Sequence, residues 1–142
     1  MAAVTTVLAV GATLYAGKKQ QKMYNKQAAE AQIRGRSEAI AYKQKGANAL
    51  SMLNETLAAI TARAGAGGVD PTSGSAATLQ SYAMGEGVRE FNIAADNSIL
   101  ALGQASAQAG IYRSSGKLAR LNSYVTAIGQ IQDTAKRAMD AR

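Results

Sequence analysis

The sequence predicts an all-α protein, a long antiparallel helical hairpin with an apolar N-terminal helical segment, working as an oligomer. Three observations predict it. Two stretches rich in helix-forming residues, 18–64 and 76–142, contain no proline. A Gly-rich segment, 65–75, separates them and turns the chain back. The 142 residues hold one Phe, no Trp and much Ala, Gly, Ser and Gln, so a lone molecule has few bulky side chains to bury, and packing of several copies is the expected remedy.

Residues 1–17 form an apolar membrane-type or oligomerisation segment. Met1 to Gly17 carries no charged side chain, and Lys18, Lys19, Lys22 and Lys26 follow at once. Seventeen helical residues reach about 26 Å, the lower edge of what a hydrocarbon core requires, and Thr5, Thr6, Thr13, Gly11 and Gly17 weaken insertion further. Drawn as a helix, the segment sorts by size. Val4, Val7, Leu8, Val10, Leu14 and Tyr15 fall on one side, as expected for contact with a membrane or with sister subunits. Thr5, Ala9, Ala12, Thr13 and Ala16 fall on the other, where the pairs Ala9/Thr13 and Ala12/Ala16 have the spacing that lets helix backbones approach. The four lysines suit anionic headgroups or phosphates. Because the positive charges follow the apolar stretch, a cleaved secretory signal is not expected.

The first long helix, 18–64, is basic. Up to Ala64 there are nine Lys or Arg against Glu30, Glu38 and Glu55, whereas Gly65 to Arg142 holds seven against six acids. Only Gly35 and Gly46 interrupt this helix, and its last part carries a seam of Leu50, Leu53, Leu57 and Ile60 at alternating three and four spacing, which Ile33, Ile40 and Ala47 precede in seven-residue steps.

In the turn, 65–75, glycines just past Ala64 supply left-handed C-cap geometry. Gly67, Gly68, Asp70, Pro71, Ser73, Gly74 and Ser75 are the turn residues, with Asp70-Pro71 offering an N-cap followed by Pro, and Ser75 an alternative N-cap for a helix beginning at Ala76.

The second long helix, 76–142, carries Gly irregularities. Val88, Phe91, Ala95, Ile99, Leu102, Ser106 and Gly110 follow an eleven-residue step, giving a nearly straight stripe. Leu118, Leu121, Val125, Ile128, Ala135 and Met139 continue at heptad-like spacing. Gly85, Gly87, Gly103, Gly110, Gly116 and Gly129 each cost on the order of 1 kcal/mol relative to Ala, which implies support from neighbours or bends. Folding at the turn is expected to lay Leu50 to Ile60 against Leu79, Tyr82, Val88 and Phe91, burying the largest side chains near the tip.

Chemistry has little to work with. With no Cys there is no disulfide framework, thiolate catalysis or Cys-based metal ligation, and with no His the commonest general base is missing. Gly85-Glu86-Gly87 lacks the strand and third glycine of a dinucleotide fingerprint, and Gly116-Lys117 is followed by Leu118 where a phosphate loop needs Ser or Thr. The chain reads as no enzyme, with no catalytic residue, metal or cofactor. A sequence-independent contact of Lys18, Lys19, Lys22, Lys26, Arg34 and Arg36 with DNA stays open.

An apolar Ala/Gly-rich start, a Gln/Ala/Lys helix, the turn Gly67-Gly68-Val69-Asp70-Pro71-Thr72-Ser73-Gly74-Ser75 and the Ala/Gln run of 104–113 together resemble the small internal virion proteins of short-tailed bacteriophages, the core or ejection proteins. The resemblance implies a homo-oligomer packaged in the capsid near the portal, with other core proteins and portal or tail components as partners. It implies expulsion on infection to help build a channel for DNA in the host outer membrane and envelope. Lys18 and Lys19 would then lie at headgroup level. Two alternatives remain: a structural adaptor or core-ring subunit with no membrane role, and a secreted helical translocon-type protein.

Overall fold

The structure, a computed structural model, describes the backbone of residues 2–140 and the side chains of residues 8–139. It is a hairpin of two helices, α1 (Ala2–Ala66) and α2 (Gly74–Asp140), with no strand among the described residues. The apolar segment and the first long arm are therefore one uninterrupted helix. Its chain packs as two compact units. The turn unit is Arg34–Gln104; the terminal unit joins Met1–Ile33 to Ala105–Arg142.

Every buried residue among those described is Gly, Ala or Ser. In the turn unit these are Gly35, Ala39, Gly46 and Ala49 of α1 against Ala76, Gly87, Ala94, Ser98 and Ala101 of α2. In the terminal unit they are Gly17 and Ala28 against Ala109, Gly116 and Ala127. Steps of eleven connect them: Gly17, Ala28 and Ala39 on α1, and Ala76, Gly87, Ser98 and Ala109 on α2. Eleven residues make three turns at about 3.67 residues each, close to the helix's own repeat, so such a stripe runs almost parallel to the axis and needs little supercoiling.

With no side chain larger than the hydroxymethyl of Ser98 on the stripe, the helices approach closely, and flanking side chains of one reach over the glycines of the other. Leu53 lies over Gly87, where an added Cβ would sit 2.8 Å from its Cδ2 and 2.9 Å from its Cβ. Phe91 lies over Gly46, with its Cδ2 3.3 Å from where a Cβ would stand. Tyr24 covers Gly116, and Ser123 closes Gly17.

Val88 and Phe91, expected against Leu50 to Ile60 at the tip, stand outside, and so do the stripes beyond the tip. Val88, Phe91, Ile99 and Leu102 are all exposed, as are Ile33, Ile40, Leu118, Leu121, Val125, Ile128 and Met139. The eleven-residue period on α2 is present, but the buried stripe lies one residue earlier: Gly87, Ala94, Ser98, Ala101 and Ala109 in place of Val88, Ala95, Ile99, Leu102 and Gly110. Near the tip, Leu53, Leu57 and Ile60 are half-buried, while Leu79 and Tyr82 remain 57% and 70% exposed. The largest side chains are therefore not buried there. Two helices in contact along one narrow line leave most of each circumference uncovered, and the smallest residues give the closest line.

The turn is held by backbone geometry. Gly68 takes φ +69, and its N–H donates to Gly65 O at 3.1 Å while Val69 N–H donates to Ala64 O at 2.9 Å, a Schellman end to α1. Asp70 Oδ1 accepts from Thr72 N at 2.8 Å and from Thr72 Oγ1 at 2.7 Å. Those bonds, the hydroxyl's first, hold the Asp70 carboxyl below the usual carboxylate range. Asp70 thus shapes the turn and does not cap α2. That helix begins at Gly74, earlier than Ala76, because Ser73 O accepts from Ala77 N at 3.4 Å, and Gly74 at its start takes a left-handed φ of +60 that glycine adopts without penalty.

Gly85 and Gly87 separate the two roles of glycine on one helix. Nothing lies within 4 Å of a Cβ at Gly85, so Gly85→Ala is expected to raise the thermal midpoint by the helix-propensity gain of about 1 kcal/mol. Gly87→Ala is expected to lower it, because overpacking against Leu53 costs about 1–3 kcal/mol. Calorimetry of both variants checks the signs; equal gains would show that Gly87 is not a packing position.

Candidate functional site

Among the charged residues, the two units differ sharply. The terminal unit contains ten Lys or Arg against three acids, and the turn unit six against six, so the formal excess of +7 belongs to the unit that carries both ends of the chain. Lys18, Lys19, Lys22 and Lys26 of α1 are all exposed, as are Arg113, Lys117 and Arg120 of α2. Among the described residues the sole ion pair, Arg89 with Glu86 at 3.1 Å, lies in the turn unit. The basic surface is thus solvated and open to anions.

Arg120 ties the two helices together at this surface. Its Nη1 donates to Gln21 Oε1 at 3.4 Å, its Nη2 donates to Tyr124 OH at 3.2 Å, and its guanidinium carbon sits 5.7 Å from the Tyr124 ring centroid. The hydrogen bond from Arg120 and then its charge hold the Tyr124 phenol below its ordinary range, with Lys18 adding a smaller pull in the same direction. A lysine of the N-terminal cluster and an arginine some hundred positions on therefore share one electrostatic neighbourhood. Neither Arg120 nor Tyr124 stands out in the sequence, since only pairing of the arms puts them beside Lys18 and Gln21.

Of the apolar-segment residues, Leu8 and Tyr15 are 69% and 71% exposed. Val10, Thr13 and Leu14 are half-buried, Ala9, Ala12 and Ala16 are exposed, and Gly17 is buried. The hydroxyl of Thr13 donates to Ala9 O at 2.9 Å, which satisfies it within the helix. Val4, Thr5 and Val7 belong to α1, but their side chains lie outside the described residues. In the turn, Gly67, Gly68, Asp70, Ser73, Gly74 and Ser75 are exposed and Pro71 is half-buried.

Concavities on the hairpin are shallow. One of about 530 Å³ in the terminal unit is lined by Tyr24, Leu118, Leu121 and Val125 among others. Two in the turn unit, about 300 and 270 Å³, share Ala49 and Glu90. Among the described residues no group of three or more acids, His or Cys is placed to hold a metal ion, and no helix is long and apolar enough to cross a membrane. Compared with protein-family models, with curated proteins and with solved structures, the chain matches none.

Arg120→Met is expected to return the Tyr124 phenol upward toward the ordinary value of 10.0, read by pH titration of its ring resonances. Because the native phenol is lowered, this contact adds stability only in the alkaline range where the unfolded phenol ionises, and the variant should lose nothing from this source at neutral pH. An unmoved titration would remove Arg120 as the cause.

Proposed function

We propose that the chain is a non-enzymatic subunit of a multi-copy helical assembly in a phage particle, serving genome ejection as a core or channel component. The observation that carries the reading is the inverted hairpin: a seam of Gly, Ala and Ser inside, and Phe91, Ile99, Leu102, Leu118, Leu121 and Val125 outside. Exposed apolar surface of this extent marks an interaction site. Helices patterned on both sides are suited to walls of side-by-side helices, in which each bulky stripe is covered by a neighbour. The phage setting rests on the resemblance of the turn, Gly67 to Ser75, and of the helical layout.

In this reading Leu8 and Tyr15 meet sister subunits or acyl chains, and Lys18, Lys19, Lys22 and Lys26 face headgroups or the phosphates of passing DNA. A core-ring subunit with no membrane role is the second reading. It is favoured by Gly17, which Ser123 closes, because that contact ties the end of the apolar segment to protein.

Light scattering on the purified chain is expected to give a mass that rises with concentration to multiples of 14.7 kDa. A monomer at the highest attainable concentration, with full helical circular dichroism, would sink the assembly. Mass spectrometry of particles before and after triggered genome release separates the roles: loss of the chain from emptied particles supports ejection, and full retention overturns it.

A further inference from the structure

We propose that one side of the terminal unit is a sequence-independent binding surface for the phosphate backbone of duplex DNA, made by Lys18 and Lys22 of α1 with Arg113, Lys117 and Arg120 of α2. The inference rests on the genome-ejection reading above and decides which of its two anions, headgroup or phosphate, this side of the unit takes.

Contacts across the seam give the level of each residue. Gly17 is closed by Ser123 and Gly116 is covered by Tyr24, so positions equally far from residue 70 stand side by side. Lys117 and Arg120 therefore fall between the levels of Lys18 and Lys26, and Arg113 just beyond. The five cations occupy about 13 Å of the hairpin axis at 1.5 Å per residue. At about 100° per residue, Lys18 and Lys22 stand roughly 90° and 130° round from the buried stripe of α1, and Arg113, Lys117 and Arg120 roughly 30–90° round from that of α2. The bond from Arg120 Nη1 to Gln21 Oε1, 3.4 Å long, crosses between the helices on this side and brings both sets together. All five cations are exposed. Lys19 and Lys26 flank them at the outer edge of α1.

No carboxylate stands among them. Glu30 and Asp133, the acids of this unit whose side chains are described, lie round toward the other side of their helices, and the one ion pair among the described residues belongs to the turn unit. Arg120 spends one N–H on Gln21 and one on Tyr124, which leaves its remaining donors for an oxygen from outside. Like charges held this close on two packed helices repel one another until an anion neutralises them.

The neighbours of these cations choose a phosphate backbone over a membrane. An interfacial helix sets bulky apolar side chains beside its cations, to sink into the acyl boundary. Here the side chains beside Lys18 and Lys22 on this side are those of Gln21 and Asn25, amides of the kind that protein–DNA contacts direct at phosphate oxygens. Leu118, Leu121 and Val125 gather with Tyr24 around a concavity on the other side, and Ile128 and Ile131 return to this side only about 12 Å or more beyond Arg120. A single strand would call for open stacking platforms. Tyr124, the aromatic ring among these cations, is instead occupied by Arg120, whose guanidinium carbon lies 5.7 Å from its centroid. The surface therefore suits a duplex whose bases stay paired, and cations that meet only phosphates carry no preference for sequence.

The test titrates a short mixed-sequence DNA duplex with the full chain by fluorescence anisotropy over a range of salt, beside vesicles of phosphatidylcholine with phosphatidylglycerol. With all five cations on phosphates, the logarithm of the association constant is expected to fall against that of salt with a slope of about −4 to −5. Arg113→Gln with Lys117→Gln is expected to weaken duplex binding at least about tenfold and to flatten the slope by about two. Lys136→Gln with Arg137→Gln removes the same charge more than a Debye length away along α2 and is expected to change the affinity less than about threefold. Equal losses in the two variants, no duplex binding at low salt, a slope near zero, or vesicles bound in preference to the duplex would each overturn the surface. Should a variant lose its helical circular dichroism, the slope and the duplex-over-vesicle preference of the wild type decide. A refused duplex sinks this surface and leaves genome ejection to the particle measurement; retention in emptied particles sinks ejection and leaves the surface to the duplex titration.

Discussion

Two helices pack closely along a line only if nothing larger than a methyl or hydroxymethyl group stands on that line. In this hairpin the line is occupied by glycine, alanine and one serine, and the rest of the architecture follows from that restriction. Leu53 can lie over Gly87 and Tyr24 over Gly116 because those positions have no Cβ. In return, no large side chain is fully buried anywhere among the described residues. Close approach gives good van der Waals contact along the backbones, but an alanine methyl removes far less apolar area from water than the 1.5–3 kcal/mol worth of a buried Leu or Phe.

That exchange explains where the bulky residues sit. A two-helix hairpin has one contact line, and a stripe of Leu, Ile, Val and Phe placed on it would push the helices apart. Displaced by a single residue, the same stripe stands on the shoulder of the contact, where Phe91 still leans over Gly46 yet keeps 39% of its surface exposed. The hairpin uses its smallest residues on itself and leaves its largest available to others. The charge distribution follows a similar division: the excess of positive charge gathers in the terminal unit, and the turn unit is balanced.

Much of the architecture was legible in the residues. The absence of proline from both arms, the glycines after Ala64 and the Gly68-Val69-Asp70-Pro71 sequence gave the two helices and the reversal, and the eleven-residue step on α2 gave the correct period. Phase was the failure. Reading hydrophobic periodicity assigns the bulkiest stripe to the interior, and that rule presumes a core several side chains wide. Here the telling signal was the companion stripe of small residues at the same step, Ala76, Gly87, Ser98 and Ala109, with Gly17, Ala28 and Ala39 on the other arm. The nearness of Lys18 to Tyr124 follows from the turn, since Gly17 with Ser123, Gly46 with Ala94 and Gly87 with Leu53 all stand symmetrically about residue 70; what the residues did not mark was which stripe of each helix faces the other.

A seam of methyls also bears on when the helices are ordered. Fixing each residue of a long helix costs about 1–2 kcal/mol in backbone entropy, and the hydrogen bonds and small contacts of an Ala-rich helix offset it only narrowly. Glycines such as Gly85 and Gly103, which meet nothing within 4 Å in the single hairpin, make the balance worse in the lone molecule. Any partner that covered the exposed apolar stripes would tilt it back, since binding to the folded state alone stabilises it by mass action, and the order of the helices would then follow the concentration of that partner. Folding and binding would then be two readings of one equilibrium, with a substitution on an exposed apolar stripe acting on both and one in the Gly/Ala seam acting first on the hairpin itself.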